Sequence, residues 1–270
     1  MKKINNISII GCGWLGLELA KSLISDGNSI KGSTTSQEKF QDLKSEGINP
    51  FLISLTENGI YGNISSFLEG SEILIINVPP GLRSNPKKNH VREIEHLILE
   101  TEASKIQNVL FVSSTTVYED SKNFKSVTED MASKHSNSAQ QLLKIEELLH
   151  SNPNFKTTVL RFGGLFAEDR HPAKYLSGRS QIKNPDAPIN LIHRDDCISI
   201  ITKVIESKVW GTTLNAVIPE HPSKKIYYVN YCKTHNLTLP NYDETSISKG
   251  KKVSPERMVQ LLDYGFKHGL

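Results

Sequence analysis

Little in this sequence is extreme, and each modest count excludes something. Its 270 residues include only three cysteines, Cys12, Cys197 and Cys232. They are far apart and form no CxxC pair, which argues against a cysteine-rich zinc site or a disulfide framework and fits a reducing cytoplasm. Long hydrophobic runs are missing. Residues 73–78 and 158–160 are far too short to span a bilayer, so no membrane association is expected. The chain runs from Met1 straight into a strand-like segment, without the pattern of a cleavable signal. Neither charge sign dominates: the net charge is +3. The lysines are scattered apart from pairs such as Lys87–Lys88 and Lys251–Lys252. That distribution reads as a solvated surface rather than a nucleic-acid patch. Metal motifs are also lacking. His90 and His96 have no metal spacing with an acid and no HExxH occurs, so no metal is expected. With 37% apolar residues, a chain of this length can bury a sizeable core without disulfides or metals.

What is present is an alternation. Residues 4–10 are a β-rich run ending in glycines. Leu15, Leu19 and Leu23 then recur at helical spacing. Brief strands are expected at 29–31, 50–54, 73–78, 108–113 and 157–161. Helices are expected at 37–46, 91–104 and 140–150, the first of them closed by Gly47. The run 73–78, ILIINV, suits a strand buried on both faces. This β-α-β-α order predicts an α/β Rossmann-type fold with a doubly wound parallel sheet. Its ligand crevice should lie at the carboxyl ends of the strands. After Phe166 the character changes to Pro, Lys, Arg and polar residues. We therefore expect a dinucleotide-binding part over 1–166, rejoined by 190–218. Residues 167–189 and 219–270 should form a small substrate or cap region, with tail helices near 226–234 and 255–262.

The chemistry starts at Gly11-Cys12-Gly13-Trp14-Leu15-Gly16. A lone GxGxxG is weak, but this one follows a strand, opens a helix and begins a β-α-β series. Gly11 permits a tight turn, Gly13 lets a pyrophosphate approach the backbone, and Gly16 lets helix and strand pack closely. The N–H groups of Trp14 and Leu15 then meet the phosphates at the positive end of the helix. The plainer alternative is a flexible turn with no ligand. Cofactor choice normally falls to the end of the second strand, where an acid suits NAD and a base suits NADP. Here the stretch is Lys31-Gly32-Ser33-Thr34-Thr35-Ser36, with no acid before Glu38 and with Lys39 nearby. Thr34, Thr35 and Ser36 are therefore expected to hold the ribose end, and NADP is expected over NAD. A polar loop without selectivity is the alternative. Val78 and Pro79, in the stretch NVPPG, should stiffen the loop over the cofactor.

Ser113-Ser114-Thr115-Thr116-Val117-Tyr118, taken with the glycine turn, resembles the extended short-chain dehydrogenase/reductase family of NAD-dependent epimerases and dehydratases. Leu160-Arg161-Phe162-Gly163-Gly164-Leu165-Phe166 and Asn190-Leu191-Ile192-His193-Arg194-Asp195-Asp196 extend the resemblance in order, as do residues 211–215 and the tail from Lys249 to Phe266. The resemblance implies a Ser, Tyr and Lys that carry the chemistry. Ser114 takes the hydroxyl position and Lys144 the lysine position, where it would also bind the nicotinamide ribose. The tyrosine should stand four residues before Lys144, and Gln140 stands there instead. Glutamine cannot ionise, so it cannot act as general acid or base. A second YxxxK, Tyr118 to Lys122, follows the strand directly. Its two residues do not share a helix face, so coincidence is the better explanation. Tyr118 nevertheless remains a candidate proton source or pocket residue, as does His193, whose plainer role is packing.

Arg161, at a strand end, and Arg170 and Arg179, in the substrate loop, could hold an anionic small molecule together with His193; a solvated loop is the alternative. Asp195 and Asp196 read as caps of the following helix. The expected activity is that of an atypical oxidoreductase or epimerase-like enzyme on a small polar substrate. The alternative is a catalytically inactive dinucleotide-binding sensor. The resemblance also implies a homodimer through the helix over 140–150.

Overall fold

The computed structural model describes residues 5–270. The first residue of the expected opening strand, Ile4, lies outside that range. Seven strands form one parallel sheet. They are β1 (Asn6–Ile10), β2 (Ser29–Thr34), β3 (Asn49–Leu52), β4 (Ile73–Ile76), β5 (Asn108–Ser114), β6 (Lys156–Phe162) and β7 (Thr213–Ala216). Their order across the sheet is β7-β6-β5-β4-β1-β2-β3. The chain works outward from β1 to β3, then crosses back to the other side of β1 and works outward to β7. The order therefore reverses between β1 and β4, which makes that point the crevice of a doubly wound sheet.

Side-chain alternation builds two cores from one set of strands. Ile7, Ile9, Ile73 and Ile75 face one layer, while Ile10, Leu74 and Ile76 face the other. Both faces are covered, so the strands read as near-continuous apolar runs. On the first face lie α1 (Trp14–Ser25), α7 (Arg194–Glu206) and α9 (Glu256–Leu262), through Leu19, Leu23, Ile201, Val204 and Leu262. On the second lie α3 (Ile64–Leu68), α4 (His90–Glu102) and α5 (Asn137–His150), through Phe67, Ile94, Leu97, Leu142 and Ile145. The remaining helices are α2 (Lys39–Ser45), α6 (Pro172–Leu176) and α8 (Lys224–Thr234). A third cluster joins Phe166, Ala173, Ile189, Leu191, Ile218, Tyr228 and Cys232 beside the sheet.

Helix α5 starts three residues before the expected Gln140, because Ser136 caps it by accepting from the Ala139 N–H at 3.2 Å. All three cysteines are buried as free thiols.

Candidate functional site

Three glycines shape the turn after β1, and each does so differently. Gly11 has φ +101°, where L side chains are strained, and a Cβ there would meet the Asn77 carbonyl oxygen at 2.4 Å. Its N–H donates to Ser33 Oγ at 2.9 Å and its carbonyl accepts from Asn77 Nδ2 at 2.9 Å. These two bonds tie the turn to β2 and to the loop after β4. A Cβ on Gly16 would lie 2.2 Å from the Gly11 carbonyl oxygen, so helix and turn meet backbone to backbone. Gly13 is the opposite case: a Cβ there would find nothing within 4 Å. It caps α1 in extended geometry, and no side chain caps the helix. The first-turn N–H groups therefore meet open space at the positive end of α1.

That space is a cavity of about 330 Å³. Gly11 and Gly13 form its floor, Ser33, Thr34, Thr35, Ser36 and Lys39 one side, Ile53, Ser54 and Leu55 the end of β3, and Asn77, Val78 and Pro79 the end of β4. Lys88 and Glu93 close it from α4 and the residues before it. Sequence reasoning passed over this last pair. The one available signal was the i, i+3 spacing of His90 and Glu93. The expected cofactor residues Gly11, Gly13, Thr34, Thr35, Ser36, Val78 and Pro79 thus line one cavity. Leu15 offers only its backbone, because its side chain is buried in the core. Lys31 is drawn away: its ammonium donates to the Ser66 and Glu69 carbonyls at 2.7 and 2.6 Å. Cys12 sits under the turn, where burial pushes its thiol up to about 12 and keeps it protonated.

Trp14 turns its ring toward the loop after Phe166. Its Nε1–H donates to Asp169 Oδ2 at 2.8 Å, and the guanidinium carbons of Arg170 and Arg194 lie 5.0 and 4.9 Å from the ring centroid. Arg179 lies farther along, where its carbonyl accepts from the Asn241 N–H, and does not line the cavity.

The structure corrects the expected catalytic group. Tyr118 is fully buried. Its hydroxyl donates to Asn215 Oδ1 at 2.6 Å and accepts from Arg161 at 2.7 Å. Arg161 is buried too, and its guanidinium meets Glu146 at 2.6 Å. Tyr118 and Arg161 therefore hold the sheet to α5, and neither reaches the crevice. Burial pushes the Tyr118 phenol above its ordinary value despite the neighbouring Arg161 cation. Lys144 lies two residues from Glu146, about 200° round the helix. Glu146 points inward, so Lys144 points to solvent, where it pairs with Glu147 at 3.3 Å. Gln140, one turn earlier on that same outer face, donates to the Lys134 carbonyl. Ser114 does end β5 at the crevice side of the sheet, but its Oγ accepts from the Thr116 N–H at 3.1 Å and shares 2.9 Å with Thr116 Oγ1.

His193 is buried and caps α7, its Nδ1 accepting from the Asp195 N–H at 3.2 Å. It stacks on His268 with centroids 4.0 Å apart, beside Asp195. Its Nε2 lies 3.4 Å from Glu168 Oε1. The capping role expected of Asp195 falls to His193. Asp196 is buried and binds the tail, accepting from the Tyr264 hydroxyl at 2.6 Å and the Lys267 N–H at 2.9 Å.

No protein-family model matches the chain. Over 273 residues it is 28% identical to Protein YeeZ of Escherichia coli (strain K12), covering 99% of this chain and 97% of that protein. Among solved structures, MoeE5 in complex with UDP-glucuronic acid and NAD superposes with a TM-score of 0.80 at 15% identity, covering 98% of this chain and 94% of that one. A short-chain dehydrogenase/reductase superfamily protein from Agrobacterium tumefaciens with bound NAD gives 0.78 at 16% identity, with 98% and 93% covered. With its reversed strand order, its glycine turn at the switch point and these likenesses over nearly its whole length, the chain has a Rossmann-type doubly wound fold like that of these two NAD-bound proteins.

Proposed function

We propose that this protein binds NADP(H) or NAD(H) in the crevice at Gly11–Gly16, and that it is an atypical oxidoreductase or epimerase-like enzyme acting on a small, polar, anionic substrate. The observation that carries the reading is Gly13. It has no side chain, faces empty space, and opens a helix that no side chain caps. A pyrophosphate fits such a cradle, with the α1 N–H groups as donors. The two solved relatives that hold NAD support the same reading. NADP is favoured over NAD because Thr35, Ser36 and Lys39 line the ribose side of the cavity and no acid stands there.

When bound, the dinucleotide supplies a hydride donor or acceptor. The chain supplies the rest. Ser114, freed from Thr116, would donate a hydrogen bond to a substrate carbonyl. Arg170, which has no ion pair among the described residues, would hold the substrate's negative charge, with Arg194 beside it. With Tyr118 buried and Gln140 unable to ionise, a proton would reach a developing alkoxide from water or from the substrate itself. Those same two residues favour a second reading, a dinucleotide-binding sensor that has lost catalysis.

Calorimetric titration with NADPH and NADH tests the proposal. NADPH should bind more tightly. A preference for NADH would overturn the role given to Thr35, Ser36 and Lys39. Binding of neither would end the dinucleotide reading. Turnover of bound NADPH with any member of a panel of carbonyl acids and phosphorylated sugars would separate enzyme from sensor.

A further inference from the structure

Part of the crevice wall is apolar, as the face of a planar base requires. Ile53 and Leu55, after β3, and Val78 and Pro79, after β4, all line the cavity. Glu93 is the only acid among the lining residues. It is held firmly. Its Oε2 lies 2.9 Å from Lys88 Nζ and 2.9 Å from His90 Nδ1. Its side chain is only 4% exposed. The support is itself anchored to α5, because Gln141 accepts from the His90 N–H at 2.8 Å and donates to the Lys88 carbonyl at 3.0 Å. Glu93 lines the cavity, and its Oε2 is the oxygen that Lys88 and His90 engage, which leaves Oε1 as the acceptor able to meet a ligand. A donor brought by a ligand to such a carboxylate makes a charge-assisted hydrogen bond, stronger than one between neutral groups.

We propose that Glu93 is the base-reading residue of this crevice: its carboxylate accepts from the exocyclic amine of the adenine ring, and so selects adenine over a base with a carbonyl at that position. This rests on the dinucleotide reading above and deepens it. The chemistry is directional. An amine donates to the carboxylate, whereas the oxygen of hypoxanthine presents a second acceptor to it and is repelled. His90 and Lys88 hold the oxygen that does not face the base, which keeps Glu93 in one rotamer. Ser54, at the end of β3, is neutral and cannot supply the same discrimination.

The test compares NADPH with its hypoxanthine counterpart, in which a carbonyl replaces the amine, and NADH with its own. Titrations use the full chain. The wild-type protein should bind the adenine form on the order of ten- to a hundredfold more tightly, the range of one hydrogen bond to a buried charge. Glu93→Gln keeps the shape and adds a donor, so the preference should shrink to about threefold or invert. Equal affinity of the wild type for the two bases overturns the proposal. So does a Glu93→Gln protein that keeps the full preference, since some other group would then read the base. The wild-type ratio needs no variant, so a poorly folded Glu93→Gln protein leaves the proposal exposed to refutation. A protein that binds no dinucleotide of either base fails the functional reading first, and this inference falls with it.

Discussion

Gly13 and Gly16 are three residues apart and tolerate a side chain very differently. At Gly16 an added methyl would sit 2.2 Å from a backbone oxygen, and the backbone cannot step aside cheaply. Gly16→Ala should therefore lower stability by about 1–3 kcal/mol, as overpacked cores do, and thermal melting reads this directly. At Gly13 a methyl meets nothing within 4 Å. Gly13→Ala should leave the melting temperature almost unchanged. The buried phenol is a second residue-scale case. Tyr118→Phe leaves Asn215 and Arg161 each short of a partner, which should cost about 1–3 kcal/mol. Dinucleotide affinity should not move, because Tyr118 does not line the cavity. A fall in affinity without a fall in stability would return Tyr118 to the site.

At the scale of elements, α5 and α6 carry the lesson and one prediction each. Lys144→Ala should leave dinucleotide affinity unchanged, since the helix turns that lysine outward; a tenfold loss would show that it swings into the crevice. On α6, His171 caps the helix by accepting from the Ala173 N–H and stacks on Tyr231 at 3.6 Å. Burial, aided by His235 and Lys174, lowers its pKa to about 4. The unfolded chain takes up a proton near the ordinary histidine value, about 6.5, and the folded chain resists until about 4. Stability is thus fully present above that upper value and falls as the pH drops through the interval. His90 and His221, also held below the ordinary value by burial, act in the same direction. His171→Asn keeps a capping side chain but does not titrate. It should flatten the fall in melting temperature between about pH 6.5 and 4.5, and an unchanged slope would contradict the assignment.

The same elements show what could be read from the sequence. The glycine turn, the hydroxyl-rich end of β2 and the strand-helix alternation are local patterns, and the structure keeps them. Tyr118, Arg161 and Lys144 were misplaced because their setting depends on partners far along the chain. Asn215 and Glu146 claim the first two, and helical phase against Glu146 decides the third. Glu93 was invisible for the same reason: nothing local says that α4 delivers it to the end of β3 and β4.

For the whole molecule, the reversal of strand order between β1 and β4 opens one crevice, and two core layers pack the sheet on either face. The buried Arg161–Glu146 pair locks α5 to β6, and removing either partner leaves an uncompensated charge. Glu146→Ala should destabilise by about 3–5 kcal/mol in chemical denaturation, without changing cofactor preference.

The central claim is that the turn at Gly11–Gly16 cradles a pyrophosphate. A titration of Gly13→Val with NADPH and NADH beside the wild type, with melting curves for both proteins, tests it most directly. The account predicts that the variant folds as the wild type does and loses affinity about tenfold or more, which is about 1.4 kcal/mol. A folded Gly13→Val protein with unchanged affinity would contradict it.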